Sequence, residues 1–223
     1  MSNIPSVLLS RKFFLKICFN FCFSKIATDM VWLEQNNDSD NIFFKMKNNL
    51  VNVNQKDMDV IIDLRYATKN NFAKEKIFRS NECFIHKNAY ENLCRASEIS
   101  RKLGFKLKIF DAYRPVYVQN KLWSILPDPN FISPPEKGSP HSRGVAVDLT
   151  LTFEGEDIDM GTEFDEFSRL SYHGNTEISK ESFRNRLILL GIMTDSGWDF
   201  YRNEWWHYQL FNSKQFPVID DIS

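Results

Sequence analysis

From Met58 onward the apolar positions of the chain follow two rhythms, one of two residues and one of three to four. MDVIIDLRYAT (58–68) is a β-branched run that turns polar, which predicts a strand. HKNAYENLCRASEISRKLG (86–104) sets Ala89, Leu93, Ala96 and Leu103 on one helical face and ends on a glycine suited to stopping a helix. FKLKIFDAY (105–113) alternates and predicts a further strand. Pro115 then opens a helix whose apolar stripe is Val118, Leu122 and Ile125. LPDPNFISPPEKGSP (126–140) holds five of the eight prolines and must be loop. VAVDLTLTF (145–153) alternates again, with Ala146, Asp148 and Thr150 facing one way and Val145, Val147, Leu149 and Leu151 the other. Ser179 can cap a helix carrying Phe183, Leu187 and Leu190, and the aromatic EWWHYQLF (204–211) predicts a final strand. Strands and helices mixed without a regular βαβ rhythm predict an α+β fold, a single compact domain with a central antiparallel sheet flanked by helices.

The first forty-odd residues break both rhythms. SRKFFLKICFNFCFSKIA (10–27) has a basic start, an apolar patch and small residues at its end, but Lys16 and Asn20 interrupt the patch. It reads either as a cleaved export signal or as a disordered extension, and it is too short and too polar to span a bilayer. EQNNDSDN (34–41) reads as a polar linker. The division expected is an extension over 1–45 and a folded domain over 46–223. The location expected is the cytoplasm, or the periplasm if the segment is a cleaved signal. Nothing in the sequence fixes the oligomeric state, and a homo-oligomer stays open.

Composition narrows the function classes. Among 223 residues, 43% are hydrophobic and the net charge is −1, so the basic excess of a nucleic-acid binder is missing. The four cysteines show no CxxC spacing, and Cys83 and Cys94 read as small buried hydrophobes.

Two polar clusters interrupt the apolar pattern. GSPHSRGVAVDL (138–149) sets His141 seven residues before Asp148, and NEWWHYQL (203–210) holds Glu204 and His207. A carboxylate inside a buried strand needs a partner, because an unpaired buried charge is very costly. His141, Asp148 and His207 together make two imidazoles and a carboxylate, a catalytic-type zinc set that leaves a fourth position for water. Glu204 could take a proton from that water and pass it to a leaving amine. In a regular strand, however, positions 204 and 207 face opposite sides, so a bend or bulge is required. Taken singly, each residue is more often a satisfied core or turn residue than a ligand. FDAYRP (110–115) adds a third element, since Arg114 between a strand and a proline-opened helix can meet a tetrahedral oxyanion, or else simply cap a turn.

SPHSRGVAVD resembles the S-x-H-x-x-G-x-A-x-D zinc motif of the D-alanyl-D-alanine metallopeptidases, and EWWH resembles their E-x-W-H motif. DLRYAT, DAYRP, MGTEFD and EWWHY follow in the order seen in VanX-type D-Ala-D-Ala dipeptidases, over about residues 58–212. The resemblance implies a VanX/Hedgehog-like zinc D,D-peptidase fold and one Zn2+ per chain held by His141, Asp148 and His207. It implies Glu204 as general base and acid and Arg114 as stabiliser of the transition state. Asp165 would receive the substrate ammonium. Ser139 and Tyr66 would make further substrate contacts, Asp111 would orient the arginine, and Trp205 and Trp206 would wall a small pocket. His173 receives no role.

The activity so implied is hydrolysis of D-Ala-D-Ala to two D-alanines, in cell-wall precursor turnover or D-alanine salvage. The partner expected is a small dipeptide, with no nucleic acid and no stable membrane insertion. A zwitterion can be measured by charges at both of its ends, which rejects longer peptides. Two alternatives stand beside it: a zinc D,D-carboxypeptidase or endopeptidase acting on peptidoglycan stem peptides, and a metal-stabilised binding module. Asp165 separates the first two readings, although in the acidic run EGEDIDMGTEFDEF it also reads as a surface loop carboxylate.

Overall fold

The computed structural model describes residues 49–55 and 58–220. The N-terminal extension, its export-signal question, Cys18 and Cys22 lie outside the described residues. Three strand segments run side by side at the centre: β4 (Lys106–Asp111), β5 (Ala146–Phe153) and β8 (His207–Leu210). β2 (Val60–Ile62) pairs with the free side of β4, and β7 (Trp198–Phe200) with the free side of β8. The two-residue β6 (Glu156–Asp157) adds to the far end of β5, while β1 (Leu50–Asn52) and β3 (Phe84–His86) form a separate antiparallel pair.

The central sheet is antiparallel except at one edge, where β2 runs parallel to β4. A parallel neighbour needs a long crossover. The chain from β2 to β4 supplies one, and it includes α1 (Lys87–Lys102). β2 is shorter than the apolar pattern suggests, because the chain turns into a 3-10 helix at Arg65–Ala67 that buries Tyr66.

Both faces of β5 are buried, and its side chains meet Leu107, Ile109, Tyr208 and Trp198 in one core. Each such side chain contributes about 1.5–3 kcal/mol on burial. α1 buries Ala89, Leu93, Ala96, Ser97 and Ser100 and ends at Lys102, so Leu103, expected on the apolar face, is instead its exposed C-cap. Gly104 takes φ +83° just after it. α2 (Val116–Ile125) buries Val118 and Leu122, and Ile125 emerges at its end.

α3 (Lys180–Asp195) corrects a predicted face. Ser179 caps it as expected, but Leu187 is exposed, while Ser182, Asn185, Arg186, Leu189, Ile192 and Met193 are buried. The polar members bury because loop 159–172 supplies partners. Arg186 donates from Nε to the Met160 carbonyl at 2.6 Å and from Nη1 to the Leu170 carbonyl at 2.7 Å, and Ser182 Oγ donates to Asp159 at 2.6 Å. Cys83 lies in the core, where burial pushes its thiol pKa up, and Cys94 is half-buried. Among the described residues, no helix is long and apolar enough to cross a membrane.

Candidate active site

Register builds the site. Asp148 of β5 stands opposite His207 of β8 on one side and Asp111 of β4 on the other, just past a bulge between Ile109 and Asp111. His141 arrives from a 3-10 turn (His141–Arg143) that Pro140 starts and Gly144 ends. Gly144 has φ +69°, and a Cβ there would lie 2.6 Å from Leu50 Cδ2, so only glycine fits this turn without displacement.

Glu204 and His207 reach one side because the final strand begins only at His207. Glu204 to Trp206 form a turn, with the His207 N–H donating to the Glu204 carbonyl at 3.3 Å. The Glu204 carboxylate consequently stands 4.0 Å from His207 Nδ1. The expected bend is this turn.

Three atoms converge. His141 Nε2, His207 Nδ1 and Asp148 Oδ1 are separated by 3.1, 3.2 and 3.0 Å. Ligands at about 2.0–2.1 Å around a tetrahedral ion stand about 3.3 Å apart, close to this triangle. The outer hydrogen bonds fix what the inner atoms carry. His141 Nδ1 lies 2.7 Å from the Ala112 carbonyl and His207 Nε2 lies 3.3 Å from Gln209 Oε1. Both outer nitrogens therefore donate, and both inner nitrogens turn lone pairs toward the carboxylate. Three crowded lone pairs favour a cation among them, and the buried His–Asp–His group could hold a metal ion. Burial opposes ionisation of Asp148, but when His141 and His207 are protonated and donate to it, in place of a cation, their charge and hydrogen bonds hold its carboxyl well below the usual carboxylate range.

Arg114 is buried beside this triangle. Its Nε donates to Asp111 Oδ2 at 2.7 Å, its Nη1 to Gln119 Oε1 at 2.9 Å and its Nη2 to Asp148 Oδ2 at 3.4 Å. Burial penalises the guanidinium, yet Asp111, Tyr66 and Asp148 hold its pKa above the ordinary arginine value. Asp111 thus anchors Arg114 from behind. Burial, followed by repulsion from Asp148 and Asp165, keeps the Glu204 carboxyl well above its ordinary pKa.

A cavity of about 310 Å³ opens over the triangle, lined among others by Tyr66, Arg114, Ser139, Asp165, Glu204 and Trp206. Asp165 is 9% exposed, with φ +64°. Its Oδ1 accepts from the Tyr66 hydroxyl at 3.0 Å, while its Oδ2 is buried with no hydrogen-bond partner. Burial lifts its carboxyl to about 7 despite the Tyr66 hydrogen bond. Ser139 Oγ accepts from the His141 N–H at 3.2 Å and keeps its own hydrogen to donate.

Of the two tryptophans expected to wall the pocket, Trp206 does so and Trp205 does not. Trp205 stands at 86° to its neighbour, donates from Nε1 to Thr162 Oγ1 at 2.8 Å, and lines a second cavity with Thr150 and Phe164. Successive residues in the turn point apart, so one of the pair had to leave the pocket.

Sequence reasoning missed four supporting groups. These are the Ala112 carbonyl, Gln209, Gln119 and His173, whose ring bonds to the Glu204 backbone. Gln209 sits two residues beyond His207 on the same strand face, a spacing that could have pointed to it.

The sequence model of a peptidase family described as D-Ala-D-Ala dipeptidase matches residues 46–222. The chain is 38% identical over 164 residues to the D-alanyl-D-alanine dipeptidase of Escherichia coli (strain K12), covering 73% of this chain and 85% of that protein. It is 34% identical over 170 residues to the D-alanyl-D-alanine dipeptidase of Enterococcus faecium, covering 66% of this chain and 84% of that one. For the D-alanyl-D-alanine dipeptidase of Enterococcus faecalis (strain ATCC 700802 / V583) the identity is 32% over 172 residues, with 67% and 85% covered.

Proposed function

Because the chain belongs to the D-Ala-D-Ala dipeptidase family of peptidases, we propose that it hydrolyses free D-Ala-D-Ala to two D-alanines with a zinc ion held by His141, Asp148 and His207. The observation that carries this reading is the buried, unpartnered Oδ2 of Asp165 in the same cavity as the His–Asp–His triangle. A buried carboxylate oxygen with no donor is costly, and a substrate ammonium is the donor that would satisfy it.

A zinc ion held by His141, Asp148 and His207 would supply Lewis-acid polarisation of the scissile carbonyl and would lower the pKa of a bound water toward about 7. The rest is assigned to the protein. Asp165 and Tyr66 hold the ammonium end. Arg114, fixed by Asp111 and Gln119, offers preorganised positive charge to the developing oxyanion. Glu204 takes the proton from the attacking water as the C–O bond forms, then delivers it to the departing nitrogen as the C–N bond breaks. Its raised pKa suits it to hold that proton between the two steps. Trp206 closes one wall of the cavity.

Zinc-loaded protein should cleave D-Ala-D-Ala at least 100-fold faster than N-acetyl-D-Ala-D-Ala, on the order expected when a buried charge loses its partner. Equal or faster cleavage of the acetylated dipeptide would contradict the reading and favour a carboxypeptidase of stem peptides.

A further inference from the structure

The cavity that holds Asp165 carries charge of both signs, and the two signs are segregated by their commitments. Its carboxylates are Asp148, Asp165 and Glu204, and its cations are Arg114, Lys137, Arg143 and Lys214. Arg114 is fully engaged by Asp111, Gln119 and Asp148. Arg143 is spent on backbone, donating from Nη1 to the Phe216 carbonyl and from Nη2 to the Lys137 carbonyl at 3.0 Å. Lys137 and Lys214 remain. Both are exposed at the cavity's rim, and among the described residues neither has an acidic partner.

Their juxtaposition is built in. The Arg143 guanidinium joins the carbonyls of Lys137 and Phe216, tying the loop before His141 to the segment just after Lys214. Gly138 lies so close to that segment that a Cβ there would meet Val218 Cγ2 at 2.7 Å. The two lysines are thus contributed by chain segments that Arg143 clamps together, one of which leads into the turn carrying His141. Asp165, with Tyr66 hydrogen-bonded to it, comes from separate segments of the wall.

We propose that Lys137 and Lys214 form the subsite for the carboxylate end of the substrate, so that the cavity reads a zwitterion by a carboxylate at one end and paired ammonium groups at the other. This inference rests on the dipeptidase reading above and deepens it. Asp165 rejects an acylated amino end, and the lysines favour an ionised carboxyl end. Both lysines are mobile point charges on long stems, so they suit a carboxylate approached from solvent rather than a fixed bidentate clasp.

The test compares D-Ala-D-Ala with D-Ala-D-alaninamide, which keeps the ammonium and scissile bond but lacks the carboxylate. Both are assayed with zinc-loaded wild type, Lys137→Ala, Lys214→Ala and the double variant, at low and at high salt. For rim charges the double variant should raise KM for the free dipeptide on the order of tenfold at low salt, with the loss falling on KM rather than kcat. The ratio of kcat/KM between dipeptide and amide should fall by the same factor, and 0.5 M salt should shrink the difference. Equal losses on both substrates, or an unchanged ratio, would overturn the proposal while leaving the dipeptidase reading intact. A wild type that cleaves neither substrate would remove that reading and this inference with it. Far-UV circular dichroism and bound zinc, expected unchanged at these exposed positions, separate a binding loss from misfolding.

Discussion

Asp165→Asn should stabilise the free protein at pH 8 while weakening dipeptide binding. Burial lifts the Asp165 carboxyl to about 7, against an ordinary value near 3.8. The gap of about 3 units corresponds to a ceiling of about 4 kcal/mol, at about 1.36 kcal/mol per unit. The sign follows from which state binds the proton. Below the ordinary pKa both folded and unfolded chains are protonated and no penalty exists. As pH rises from about 4 to 7 the unfolded chain ionises freely and the folded one resists, so stability falls, and above about 7 the full penalty is present. Asparagine carries no charge and escapes it. Its amide nitrogen would take the place of the unpartnered Oδ2, and an unsatisfied buried donor costs about 1–3 kcal/mol. The Tyr66 hydroxyl can still donate to its oxygen, and asparagine tolerates the φ of +64°. The net expectation is a gain of about 1–3 kcal/mol at pH 8 that becomes a loss of similar size near pH 4. Urea unfolding of metal-free wild type and variant at both pH values measures it. A difference that is the same at both would refute a buried carboxyl waiting for an ammonium.

Three further substitutions probe the rest of the site. Glu204→Gln should lower kcat by at least about 10²–10⁴-fold while zinc content stays at the wild-type level, read by steady-state D-alanine release beside metal analysis. Gln209→Ala removes the acceptor 3.3 Å from His207 Nε2 and should weaken zinc binding about 10–100-fold in a chelator competition, without loss of secondary structure. Gly144→Ala forces a side chain into φ +69° and against Leu50, and should cost about 1–3 kcal/mol in chemical denaturation as well as zinc affinity, because it shifts the turn that carries His141.

The sequence carried the parts of this molecule that local pattern controls. Strand alternation over 145–153 located Asp148 in a central strand, and the proline-rich run ending at Pro140 marked the loop that leads into His141. What it could not carry depends on contacts between distant segments. The buried face of α3 was misread because Arg186 and Asn185 look solvent-facing until loop 159–172 brings carbonyls to them. The aromatic run 204–211 looked like continuous strand, yet only its second half pairs, and the turn before it is what aims Glu204. The same turn separates Trp205 from Trp206, two identical residues whose fates no spacing distinguishes. The Ala112 carbonyl that sets the His141 tautomer is a backbone group and leaves no mark in a sequence. Asp165 was raised above its acidic neighbours only by resemblance, and its empty Oδ2 is visible only in three dimensions.

The most direct test of the central claim is to titrate zinc into metal-free protein while following D-alanine release from free D-Ala-D-Ala. The account predicts that activity rises in proportion to zinc bound and reaches its plateau at a single ion per chain, with Asp148→Ala neither binding the ion tightly nor turning over. Full activity without metal, or stoichiometric zinc binding with no release of D-alanine, would contradict it.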